Sequence, residues 1–307
     1  MIPQPLLLVS SVVRGSRQGD SHGGLYLVDF KSGGFEQLLD WNTCDIDFEG
    51  RGADRGLRGI VIRDDAIFVA ASDELFAFDR QFKIIASYRN PYLKHCHEIC
   101  EYRGRLYLTS TGFDSILQFD LARRAFDVGV RFMREGDGLA VKPFDAASPG
   151  GPAASMAFHI NSVYVDETGA YVAGVRLPAL VRLSQNVISI AATLPPGTHN
   201  ARPFRGGVLF NDTERDSVVW QTPARRISIP VPRYPEADLQ CMDFDRSGIA
   251  RQAFGRGLRP VTDTIVVGGS SPTTVSLYDL AAERRLASIN LTMDVRNAAH
   301  GVAILPD

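Results

Sequence analysis

Four of the six histidines in this 307-residue chain, His97, His159, His199 and His300, open segments of related pattern. His97 stands nine residues before Leu106 and His199 nine before Val208, each time where a second apolar run begins. His159 stands eleven before Ala170, with a turn two residues longer. Arg58 holds the same place, nine before Ile67, and Arg256 holds it nine before Ile265. The string RGLR occurs at 55–58 and again at 256–259, and aligning the two copies puts Arg259 in that register instead. His300 joins the set because HGVAI at 300–304 parallels RGIVI at 58–62.

These residue types carry definite chemistry. Neutral imidazole is the commonest protein ligand for transition metals, and three or four converging nitrogens with an open position suit Fe, Mn, Zn or Cu. Ca²⁺ would want carboxylates and carbonyls. Guanidinium groups do not ligate metals but grip carboxylate or phosphate through a bidentate fork. The expected metal ligands are therefore His97, His159 and His199. His300 either completes the coordination sphere or acts as an acid/base group. Arg58, with Arg256 or Arg259, is expected to hold a small anionic substrate. Iron is the first expectation, activating O₂ or polarising a substrate oxygen in an oxidoreductase or oxygenase. The second is a lyase of the acid-sugar type, in which a histidine removes a proton α to a clamped carboxylate. The third is a binding module without chemistry. Against all three stands a channel of hydrogen-bonded imidazoles, with the arginines neutralising Asp45, Asp47, Asp54 or Asp263. Glu98 alternates away from His97 and is a candidate for orienting another histidine. His22 and His95 read as ordinary satisfied polar residues.

The elements that must position these groups follow from an internal repeat. Segments from Arg58, His97, His159 and His199 each hold three short apolar runs split by turn residues, with a weaker fourth run after them. β-Branched and aromatic residues fill the runs, so each segment reads as a four-stranded antiparallel unit. A fifth copy starts near Arg256. The sixth is split: HGVAILPD at the C-terminus supplies its first strand, and PLLLVSS, GGLYLVDF and FEQLLD at the N-terminus supply the others. The fold class expected is all-β, a single six-bladed β-propeller over residues 1–307 with one blade shared by both ends of the sequence. The blades fall at 300–307 with 5–41, then 58–89, 97–128, 159–193, 199–231 and 256–291. Loops 42–57, 129–158 and 231–255 are long and lie on one face, as a lid over the channel mouth would.

Composition agrees with one large globular unit: 45% hydrophobic, 22% charged and a formal net charge of -2. That balance favours neither nucleic acid nor a membrane surface as partner. No run of about 18 apolar residues is present, and the N-terminal MIPQPLLLVSSVV lacks the positive start and cleavage end of a secretory leader. A cytoplasmic protein is expected. The four cysteines make no disulfide framework, and Cys96 and Cys100 read as small buried residues.

The repeat layout resembles the broad six-bladed propeller superfamily that includes gluconolactonase-like and NHL-type proteins. The likeness covers nearly the whole chain. Calcium-binding members of that group carry Glu, Asn and Asp on the axis, where this chain carries His and Arg. The set His97, His159, His199 and His300 is similar to the four axial histidines that hold non-haem iron in carotenoid cleavage oxygenases, which have seven blades. Propeller uronate lyases, combining axial histidines, a metal and an arginine near an acidic sugar, are a further partial likeness.

Overall fold

The computed structural model describes residues 3–305 except 18, 43–55, 64, 137, 186 and 244–249. The described strands form six antiparallel sheets arranged as blades around one axis. Blade 1 is Asn297–Ile304, Leu6–Val13, Gly24–Asp29 and Gly34–Asp40, counted from the axis outward. Blade 2 is Ile60–Ile62, Ile67–Ala71, Glu74–Phe78 and Ile84–Arg89. Blade 3 is Ile99–Tyr102, Arg105–Ser110, Ser115–Asp120 and Ala125–Glu135, with a fifth strand, Gly138–Asp145, outside them. Blade 4 is Ile160–Asp166, Gly169–Gly174, Leu177–Ser184 and Val187–Thr193. Blade 5 is Thr198–Phe204, Gly207–Asp212, Ser217–Gln221 and Arg226–Pro230. Blade 6 is Arg256–Pro260, Ile265–Ser270, Thr274–Asp279 and Arg284–Asn290. Each innermost strand contacts the innermost strands on either side, which closes the ring.

Packing explains why the strands read as near-continuous apolar runs. Every blade is covered on both faces, so odd and even residues alike must be apolar. Leu7 and Val9 pack against Val267 and Leu277 of blade 6, while Leu8 between them packs against Ile67 and Val69 of blade 2. Each of the six buried clusters among the described residues lies between two neighbouring blades. The fourth strands are more exposed, and in Ile84–Arg89 of blade 2 half-buried and exposed residues alternate strictly.

The outer turns share one device. Asp29, Asp79, Asp120 and Asp279 end the third strands of blades 1, 2, 3 and 6. Each carboxylate accepts a backbone N–H two residues on, from Lys31, Gln81, Ala122 and Ala281 at 2.7–3.0 Å. This is the local bond that makes Asp a turn former.

Blade closure follows the expected split. Leu7 to Val13 pair antiparallel with Ile304 to Asn297, through a bulge at Ser10/Ser11. Ser10 Oγ fills that break by accepting the Gly301 N–H at 2.9 Å and donating to the Arg58 carbonyl. One expectation is corrected. Residues 129–158 are not a structureless lid: Ala125–Glu135 and Gly138–Asp145 form a long hairpin, and only 146–158 return as a loop. The turn sequence Glu-Gly-Asp-Gly between alternating residues is a hairpin signal. Phe144 covers Gly129 so closely that a Cβ there would meet its ring at 2.1 Å. Most of loop 42–57, with Asp45, Asp47 and Asp54, lies outside the described residues, as do 244–249 of loop 231–255. Among the described residues no helix is long and apolar enough to cross a membrane.

Candidate functional site

The channel is lined by side chains from the starts of the inner strands, and they fall into two tiers. His97, His159, His199 and His300 lie in the upper tier with Arg58 and Arg256. The His97 ring centroid is 5.2 Å from that of His300 and 5.5 Å from that of His159. Ring contacts thus join His300, His97 and His159, and His199 acts electrostatically with both His159 and His300. The His199 ring meets the edge of Phe254, at 5.7 Å between centroids. The inner strand of blade 5 shifts register between His199 and Arg202, with Asn200 at φ 54°, and the inner strands of blades 4 and 6 shift in the same way at Ile160/Ser162 and Arg256/Leu258.

Backbone hydrogen bonds fix these positions. The His97 N–H donates to Thr109 Oγ1 at 2.9 Å. His159, at φ 54°, donates its N–H to Asp114 Oδ1 at 2.9 Å. Asp114 is fully buried and also accepts from Phe158 N and Ser155 Oγ, so it ties the returning loop to blade 4. Asp114 sits in the turn between Arg105–Ser110 and Ser115–Asp120, directly before the second of these strands, with nothing in the local pattern to mark it, and sequence reasoning passed over it.

The imidazoles are held neutral. Enclosure by protein pushes the pKa of His97, His199 and His300 well below the ordinary value, with nearby cations adding to it. Burial also drives His159 down, to about 4. The arginines acting on the four are Arg14, Arg58, Arg176 and Arg256, all pushing the same way. His199 Nδ1 lies 2.9 Å from the Gly197 carbonyl, which only an N–H can satisfy, so Nε2 carries the lone pair. That Nε2, His97 Nδ1 and His300 Nδ1 are buried without a hydrogen-bond partner among the described residues. An unmet buried polar atom is costly, and three in one tier mark a place shaped for a ligand.

The two candidate arginines of blade 6 separate. Arg256 is nine-tenths buried in the upper tier, its guanidinium 4.5 Å from the Phe254 ring centre. Arg259 is corrected out of the site. It reaches the lower tier, donating Nε to the Val302 carbonyl at 3.1 Å and Nη2 to the Ile60 carbonyl at 3.4 Å. Gly257, at φ 64°, and the register shift between Arg256 and Leu258 divert the strand between them. Arg58 is buried, with Nη1 3.4 Å from the Cys96 carbonyl. Phe254 was not foreseen. Besides Arg256, it carries Arg251 and Arg14 at 4.9 and 5.2 Å, an arrangement only the folded loop creates.

The remaining expectations resolve as follows. Among the described residues no three His, Cys, Asp or Glu side chains are set to hold one metal ion. His22 is buried with Ser16 Oγ at 2.9 Å and the Arg17 carbonyl at 3.1 Å, a satisfied core residue. His95 is exposed and opposes protonation of His159. Glu98 belongs to the lower tier, facing Arg259, Arg202 and Asn200 rather than an imidazole. Asp263 is exposed in an inter-strand turn of blade 6. Cys96 and Cys100 are both buried thiols but pack in different inter-blade clusters, so they form no clip. Burial pushes the Cys96 thiol up to about 12.

No protein-family profile matches the chain. No curated protein matches it in sequence. Solved structures match the fold. A crystal structure of a nidogen/laminin complex aligns with a TM-score of 0.60 at 11% identity, covering 97% of each chain. A protein of unknown function from Bacteroides caccae aligns at 0.57 and 10% identity over 100% of both chains. Apo AztD from Citrobacter koseri aligns at 0.49 and 12% identity, over 95% of this chain and 83% of that one. Likeness at these identities extends to the propeller fold alone.

Proposed function

We propose that the upper tier of the channel binds a small carboxylate-bearing molecule and removes the proton α to its carboxylate, as a lyase does. The observation that carries this reading is four imidazoles held neutral beside two buried guanidiniums, three of them presenting an unmet buried ring nitrogen. Arg58 and Arg256 hold the carboxylate and stabilise the negative charge that builds on it as the proton leaves. A neutral imidazole, of His97 or His300, has the lone pair that takes the proton. The C–H electron pair becomes the new C=C bond, and the β-oxygen departs with its bonding pair. The imidazolium just formed, or its neighbour 5.2 Å away between centroids, returns a proton to that oxygen. The test is incubation with a panel of uronates and other β-alkoxy carboxylates, followed by ultraviolet absorbance of the conjugated product. Turnover abolished by His97→Ala and by Arg256→Ala supports the reading. Binding of uronates without turnover reduces it to a binding module.

A second reading keeps the metal, with iron ahead of manganese, zinc and copper. Three imidazoles sharing one ion at an N–metal distance of about 2.0–2.1 Å place their ring centres roughly 5 Å apart. The observed 5.2 and 5.5 Å match that spacing, and ring rotation would bring the nitrogens together. His300, His97 and His159 would then be the ligands, and the ion would act as a Lewis acid on the clamped anion or as a redox centre. Elemental analysis after reconstitution with each metal tests it; a near-stoichiometric metal lost in His97→Ala supports it, and none bound removes it.

A further inference from the structure

We propose that the opposite mouth of the channel is a second, separate site for a small oxyanion, built on Arg202 and Arg259. Both side chains line one cleft of about 510 Å³ together with Tyr164, Cys100, Ile62, Ile304 and Glu101, whose own carboxylate is already paired with Arg63 at 3.5 Å. The Arg202 guanidinium carbon stands over Tyr164, 4.1 Å from the ring centre, a cation–π contact that helps hold the side chain at the cleft. Its Nε is buried and has no partner among the described residues. Arg259 spends Nε and one terminal nitrogen on two carbonyls and so is fixed in place. Two guanidiniums this close repel: Arg259 and burial together lower the pKa of Arg202. Glu98 faces both arginines and answers one of the two charges. The Glu98 carboxyl is itself pushed up by burial. A pair of cations with a single desolvated carboxylate is a site poised for one more negative group. The ligand class is a carboxylate or a phosphate, since both offer two oxygens in the plane of the guanidinium fork. This inference is independent of the chemistry read into the upper tier.

The experiment is calorimetric titration of the full chain with inorganic phosphate and, separately, with acetate and citrate. The better-bound probe identifies which oxyanion the site takes. Arg202→Gln is expected to weaken that binding at least tenfold, and Arg202→Lys, which keeps the charge without the fork, by a smaller factor. Glu98→Gln is expected to tighten it severalfold, an effect that a purely structural role for these residues does not produce. Arg256→Gln, at the other end of the channel, is expected to remove only the carboxylate binding that belongs to the upper tier and to leave the Arg202-dependent binding in place. The proposal is overturned if none of the three probes binds, or if Arg202→Lys and Glu98→Gln bind all three as the unaltered chain does. It is equally overturned if Arg256→Gln removes all anion binding.

Discussion

Acid should destabilise this protein at a pH where most β-proteins are indifferent. Four upper-tier imidazoles have pKa values depressed in the fold, His159 to about 4. A histidine of ordinary value near 6.5 takes up its proton in the unfolded chain first, so the unfolded state gains as pH falls. Their contribution is therefore fully present above about pH 6.5 and is lost progressively below it. One unit below that value, an imidazole kept neutral costs about 1.4 kcal/mol. Four such groups set a ceiling of roughly 5–6 kcal/mol at pH 5.5, and an unfolded chain that is itself partly compact brings the expected loss to roughly 4 kcal/mol. Glu98 works in the opposite direction, because its raised pKa favours protonation in the fold, and it trims the loss further. Against a total stability of about 5–15 kcal/mol this is large. At about 2 °C per kcal/mol for a chain of this size, Tm should fall on the order of 8 °C between pH 7.5 and 5.5. The assay is thermal unfolding in phosphate-free buffers at constant ionic strength. The double variant His199→Gln/His300→Gln should recover about half of the drop. A Tm that stays level to pH 5.5, or a double variant as acid-sensitive as the unaltered chain, would refute the enclosure argument.

Other outcomes follow from the same geometry. Deleting residues 300–307 removes buried Val302 and Ala303 and uncovers Leu7, Leu8 and Val9, so soluble folded protein should fall sharply; unchanged thermal stability would count against ring closure. Gly301→Val should cost several kcal/mol, about the scale of core overpacking or more, because a Cβ there meets the Arg58 carbonyl oxygen at 2.2 Å; circular dichroism melts measure it. Arg256→Ala should cut turnover of a uronate by roughly tenfold to hundredfold or more, whereas Arg259→Ala, in the lower tier, should change it little, as read in the lyase assay. Asp114→Asn keeps the shape but weakens the acceptor for the His159 N–H, and a reduced rate with folding intact is the expected result in the lyase assay.

The repeat carried most of the fold. Turn-split apolar runs at equal spacing marked the blades, and the match of HGVAI to RGIVI located the closing strand, because equivalent strands face equivalent neighbours. The fifth strand of blade 3 was hidden because the 129–158 segment that contains it is rich in Gly, Ala, Ser and Pro. Its register with Ala125–Glu135 is set by hairpin geometry and by Phe144 covering Gly129, not by apolar content. The tier of His97, His159, His199, His300 and Arg58 was legible from register alone. The choice between Arg256 and Arg259 was not, since it turns on a bulge and a left-handed glycine that no spacing reveals. Phe254 and Asp114 come from a loop and a turn between strands, where the repeat imposes no pattern.

The split blade also bears on when the site comes into being. During synthesis, blades 2 to 6 can each be completed as they leave the ribosome, but strands Leu6–Val13, Gly24–Asp29 and Gly34–Asp40 must wait for Asn297–Ile304. The strand they wait for also brings His300 into the channel. A chain with five blades formed thus has a gap in its ring and a vacant place among its imidazoles, and docking of Asn297–Ile304 fills both. A chain that shows all four imidazoles in the channel has by that fact closed its ring.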